Sequence, residues 1–129
     1  MILLDTNVLV GILRGNKNIA RRFSEHLGEM AVPAIVLGEL NFGAAKSKNP
    51  EANRALVATL LDALPVMHTN DMIMRIFGDQ KAGLSKNGEI VEDADVLIAA
   101  TALAYDATLV TGNTRHFLRF PGLKLEDWR

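Results

Sequence analysis

The chain reads as an α/β protein with a short parallel sheet flanked by helices. Three observations predict it. Short apolar runs such as Ile2-Leu3-Leu4 and Thr108 to Thr111 are continuous, not alternating, as in strands buried on both faces. Stretches of helical periodicity separate these runs, so strand and helix alternate along the chain. At 129 residues, 49% of them hydrophobic and 22% charged, the chain has the size and composition of one globular domain spanning 1–129.

Met1 to Leu4 is expected to form a buried strand ending at Asp5. Thr6 or Asn7 then caps a helix carrying Val8, Leu9, Ile12 and Leu13, stopped by Gly15-Asn16. A second helix is expected from about Ile19 to Leu27, ahead of Gly28. Ala31-Val32 is a minimal strand, and Pro33 opens a helix over about Ala34 to Lys46. Pro50 introduces the next, Glu51 to Leu64, with Leu56, Leu60, Leu61 and Leu64 facing inward. Pro65-Val66-Met67 is a third strand. Asn70 or Asp71 caps a long helix closed by Asn87-Gly88. Val96 to Tyr105 is apolar on every side and predicts a helix enclosed by the domain. Thr108 to Thr111 and Leu123 to Leu125 supply the last strands.

The chain has no cysteine, which removes disulfides, thiolate metal sites and cysteine nucleophiles and suits a reducing cytoplasm. Its N-terminus lacks a cationic start and an Ala-x-Ala cleavage site, so no signal peptide is expected. The apolar run Val96 to Tyr105 is too short for a span of about 20 helical residues, so no membrane is expected as partner. A net charge of −1 offers no global field for nucleic acid, leaving that task to local basic residues and a metal ion.

Among fifteen acidic residues, three stand in apolar settings that a carboxylate avoids unless compensated. Asp5 ends the first strand, a position also suited to a helix cap. Glu39 is the only charge between Ala34 and Ala45, where its plain structural role would be an ion pair with Lys46. Asp95 sits in the first turn of the apolar helix, where the helix dipole also favours it. Asp93, two residues away, points to another face and reads as a cap or supporting group. Three carboxylates with no histidine or cysteine companion favour a hard cation, Mg²⁺ or Mn²⁺, over Zn²⁺. Such an ion activates water for in-line attack on a phosphodiester.

Four motifs in order carry a resemblance across essentially the whole chain: Leu-Leu-Asp5-Thr-Asn-Val-Leu, Glu39-Leu, Asp95-Val-Leu-Ile-Ala-Ala, and Leu-Val-Thr111-Gly-Asn113-Thr-Arg-His-Phe117. Together they resemble the PIN-domain nucleases, and the ending Gly-Leu-Lys-Leu-Glu-Asp-Trp128 is similar to VapC-type toxins of bacterial toxin–antitoxin pairs. The resemblance implies a three-layer α/β/α sandwich, a homodimer, cleavage of RNA (transfer RNA first) with Mg²⁺ or Mn²⁺, and inhibition by a small VapB-type antitoxin. It places the metal on Asp5, Glu39 and Asp95, with Asn113 as a further catalytic group and Thr6, Asn7 and Thr111 orienting ligands or waters. Lys46 and Arg115 adjoin these motifs and are expected to contact RNA phosphates. The fourth motif departs from the family where an acid is common: Asn113 and His116 stand there. His116 keeps open a non-cleaving alternative that binds RNA or a protein partner, and its plain structural role is an exposed loop histidine. A haloacid-dehalogenase phosphatase needs a second Asp where Asn7 stands, and a dinucleotide fold needs a glycine-rich first turn that Asp-Thr-Asn-Val lacks.

Overall fold

The computed structural model describes residues 1–129. Five strands form one parallel sheet: β1 (Ile2–Leu4), β2 (Met30–Pro33), β3 (Val66–Met67), β4 (Thr108–Val110) and β5 (Lys124–Glu126), in the order β3-β2-β1-β4-β5. Seven helices connect them: α1 (Thr6–Leu13), α2 (Lys17–Glu25), α3 (Ala34–Ala45), α4 (Pro50–Leu61), α5 (Asp71–Lys86), α6 (Asp93–Ala104) and α7 (Thr114–Phe117). From β1 the chain steps outward to β2 and β3, then crosses back to β4 and β5. Right-handed crossovers therefore put α1 to α4 on one face and α5 to α7 on the other, giving three layers.

β1 lies at the centre because it can be buried completely. Leu3 pairs in register with Ala31 on one side and Leu109 on the other, and Leu3, Leu4, Val32, Leu109 and Val110 are all inaccessible to solvent. The strand order reverses between β1 and β4. Loops leaving these two strands diverge to opposite faces and open a crevice at the strands' carboxyl ends. Asp5 and Thr111 are the first residues beyond those ends.

Helix α6 is enclosed as its composition demands, with Val96, Ile98, Ala99, Ala100, Thr101 and Ala102 all buried. The Thr101 hydroxyl avoids an unpaired burial by donating to the Leu97 carbonyl at 2.7 Å. Helix α5 packs on α6, α3 on α4, and α3 also touches α6.

The structure differs from expectation at five places. Helix α2 starts two residues early because Asn16 caps it, accepting from the Ile19 N–H at 3.0 Å. Asp5 itself caps α1, accepting from the Thr6 backbone N–H at 2.7 Å, because its strand-end backbone is already extended (ψ 160°). Leu56 is 53% exposed; Val57 takes the inward position of α4, which ends at Leu61 with Leu64 buried in the following turn. The last strand is displaced by one residue, to Lys124–Glu126. A short helix, α7, forms the second half of the fourth motif, where no periodicity long enough to announce it exists.

Asn70, whose side chain accepts from the Ile73 N–H at 2.9 Å, fixes the start of α5. Asn70→Ala is expected to lower stability by about 1 kcal/mol and Asn70→Asp to change it little, as read by denaturant unfolding. Equal losses in both variants would show that the cap is not what the side chain supplies.

Candidate active site

The three carboxylates reach one place by three routes. Asp5 arrives at the end of β1, Glu39 from the second turn of α3, and Asp95 from the first turn of α6. They line a single open cleft of about 430 Å³ together with Thr6, Asn7, Arg14 and Asn113.

Asp5 is the most constrained. It is 6% exposed, and both oxygens are engaged: Thr6 N–H donates to Oδ1, while the Thr111 hydroxyl (2.7 Å) and the Asn7 amide (3.2 Å) donate to Oδ2. Asn7 in turn accepts from the Gly112 N–H at 2.8 Å, and Thr111 accepts from the Asn113 N–H at 3.0 Å. The loop after β4 is thereby stitched to the start of α1. Glu39 accepts from the Thr6 hydroxyl at 2.7 Å and makes no ion pair with Lys46, whose ammonium lies 4.9 Å from the Phe42 ring centroid. Asp95 Oδ2 is 3.0 Å from His116 Nε2, both half-buried.

The electrostatics are those of an over-charged cleft. Burial pushes the Asp5 carboxyl above its ordinary range and Asp95 pushes it the same way, while the donors from Thr111, Thr6 and Asn7 pull it back in part. Asp95 is also raised, first by burial, with Glu39 and Glu92 adding to it against the charge and hydrogen bond of His116.

No three acidic or imidazole groups are drawn into a finished metal cage. Each carboxylate is held by its own protein donor at the wall of the cleft. The donor set nevertheless fits a hard divalent cation, because all donors are oxygen, two carboxyls are desolvated in one another's field, and the opening leaves room for the waters that Mg²⁺ retains.

The remaining predicted residues divide. Thr6, Asn7, Thr111 and Asn113 belong to this cleft or its hydrogen bonds, and the Asn113 side-chain amide has no protein partner there. Lys46 lies outside it, on an adjoining groove, and Arg115 is exposed and lines neither. Asp93 is neither cap nor support: it pairs with Lys81 at 2.9 Å on the exposed surface, and the cap position falls to Glu92. His116 is not a free loop histidine but the partner of Asp95, a role invisible until α7 turns it inward. Arg14, the one cation on the cleft, went unselected because its distance along the helix from Asp5 says nothing of Glu39.

Acids raised in the folded state supply a stability that is complete below the unfolded value, near 3.8, and lost as pH rises through the raised folded values. Asp95→Asn removes that loss while its amide can still meet His116. In EDTA at neutral pH the variant is expected to melt a few degrees above the unsubstituted chain, with the gap closing as pH falls into the carboxylate range. A variant that melts lower at neutral pH would show that the carboxylate is not repelled there.

Comparison with known proteins shows the family to which the chain belongs. Residues 2–123 match the PIN domain family model. Ribonuclease VapC2 of Haemophilus influenzae is 35% identical over 127 residues, covering 98% of this chain and 96% of the relative. The tRNA(fMet)-specific endonuclease VapC of Shigella flexneri is 32% identical over the same coverage. The chain superposes on the crystal structure of VapBC2 from Rickettsia felis bound to a promoter DNA fragment with a TM-score of 0.93, at 33% identity and with both chains fully covered. The chain belongs to the PIN-domain family, among its VapC-type members.

Proposed function

We propose that the chain is a metal-dependent endoribonuclease, the toxin of a VapBC-type pair, that hydrolyses RNA phosphodiesters, with transfer RNA the first substrate to test. One observation carries the reading: three carboxylates 34 and 56 residues apart in sequence line one cleft at the strand reversal, two of them raised by burial and by their neighbours' charge. Relatives named ribonuclease and tRNA(fMet)-specific endonuclease support the substrate, and structural neighbours solved as VapBC complexes support a VapB-type antitoxin partner. A homodimer in the cytoplasm completes the proposal. No helix is long and apolar enough to cross a membrane.

Asp5, Glu39 and Asp95 would hold Mg²⁺ or Mn²⁺, which when bound supplies activated water and neutralises charge on the phosphate. The rest is done by the chain's own groups. Thr111 and Asn7 fix the Asp5 carboxylate between β1 and β4, and Thr6 aims Glu39 across the cleft from α1. His116 holds one Asp95 oxygen and leaves the other free. The unpartnered Asn113 amide is placed to orient a water or a phosphate oxygen at the mouth. Walls that are partly buried strengthen each of these interactions by excluding solvent.

Purified chain freed of antitoxin is expected to cut initiator tRNA with Mn²⁺ and to stop in EDTA. Asp5→Asn and Asp95→Asn should fall to background while keeping a native circular dichroism spectrum. Thr111→Val, which removes a donor to Asp5 and the acceptor of the Asn113 N–H, should lose about tenfold to a hundredfold. If the unsubstituted chain and Asp5→Asn leave RNA equally intact with Mn²⁺, the fold binds without cleaving and the nuclease reading is wrong.

A further inference from the structure

Two cations beside the acidic cleft have no acidic partner. The side chain of Arg14, at the end of α1, makes neither an ion pair nor a hydrogen bond, although other arginines do, such as Arg129 with Asp127. Lys46, at the end of α3, makes no ion pair, and its ammonium lies over the face of Phe42. Between them runs a groove of about 370 Å³ between α1, α3 and α4. It shares Thr6, Val10, Arg14 and Glu39 with the cleft, so the two are one continuous depression. Glu39, at the cleft end, is the only acid along it. Phe42 is 65% exposed beside it, an aromatic face in solvent with a cation over it.

We propose that this groove is the track along which the RNA strand enters the cleft, an inference that rests on the ribonuclease reading. Arg14 binds the phosphate next to the one being cut and Lys46 a phosphate farther out, while Phe42 offers a stacking face to a base between them. The combination is that of single-strand binding, in which cations follow the backbone and aromatic faces receive bases irrespective of sequence. Arginine suits the inner position because its planar fork grips a phosphate through two N–H groups and stays charged beside carboxylates. An apolar protein segment could also lie against Leu13 and Leu56, but it would leave both cations without partners. The continuity with the cleft and the charge at each end favour the strand.

The track is tested by anisotropy of a fluorescent, mixed-sequence single-stranded RNA 12-mer titrated with the full chain in EDTA, where metal-dependent cutting does not intervene. Arg14→Ala and Lys46→Ala are expected to weaken binding about fivefold to tenfold each, and to reduce the slope of log affinity against log salt by about 0.7 per lost contact. Arg14→Lys should restore the slope, Phe42→Ala should weaken binding without changing it, and Arg54→Ala, on exposed α4 outside the groove, should change nothing. Absent RNA binding, or affinity and salt slope unchanged in both cation variants, would overturn the track. So would Leu13→Asp and Leu56→Asp variants that keep RNA affinity but no longer co-purify with the co-expressed antitoxin, since the groove would then belong to a protein. A chain that binds along the track but cuts no tRNA with Mn²⁺ would overturn the nuclease reading alone.

Discussion

The hydrogen bond from the Thr111 hydroxyl to Asp5, 2.7 Å long and buried, joins the ends of the two strands between which the strand order reverses. A carboxylate beyond the end of a fully enclosed strand cannot be left without donors, since unpaired burial of charge costs several kcal/mol. The threonine that follows β4 meets that need with its hydroxyl, and α1 meets it with its first N–H and with Asn7. The same bonds that make the buried acid tolerable also close the loop after β4 against α1. The position of Asn113, the start of α7 and hence the approach of His116 to Asp95 all follow from that closure. A single pairing requirement at the end of β1 thus organises the floor of the cleft.

The cost of the arrangement is electrostatic. Desolvation and neighbouring carboxylates lift both Asp5 and Asp95, so the cluster opposes folding at neutral pH where a surface acid would be indifferent. The protein relieves the strain only in part, through one imidazole and several neutral donors, and puts no lysine or arginine in contact with the three carboxylates. A full set of ion pairs would be more stable, and it would fill the coordination sites a divalent cation needs. The repulsion left in the cleft is therefore free energy that a cation bound there would release.

The fold was legible in the sequence because its signals are local. Continuous apolar triplets, Asn caps and an all-apolar α6 each follow from a few neighbouring residues, and the structure has a strand or helix at each. Asp5, Glu39 and Asp95 were legible for a related reason: a carboxylate in an apolar run needs an explanation wherever the run lies. What sequence withheld depends on distance in space. The Thr6 to Glu39 bond joins residues 33 apart, and His116 to Asp95 spans 21; neither spacing belongs to any regular element. Asp5 was weighed as cap or site, and the structure makes it both, because the extended backbone at a strand end is also the backbone of an N-cap. Leu56 was read inward since periodicity gives the stripe of a helix but not the angle at which it docks.

The exposure of Leu56 and the position of Arg14 share an origin. Both residues lie where α1, α3 and α4 fail to close over one another, leaving the groove that runs into the cleft. Helix α3 borders both regions: Glu39 faces the metal-fitting end, and one to two turns later Phe42 and Lys46 stand at the outer end, all on a helix whose buried side is supplied by Val36, Leu40 and Ala44. With those residues and Ile35 committed to the core, positions on the other side of α3 carry charge and an exposed ring. A helix that is apolar over most of its length yet keeps an exposed phenylalanine next to an unpaired lysine is not optimised for stability alone. Its rigid body fixes the spacing between the place where a phosphate would be cut and the place where the strand would be held, which a loop could not do.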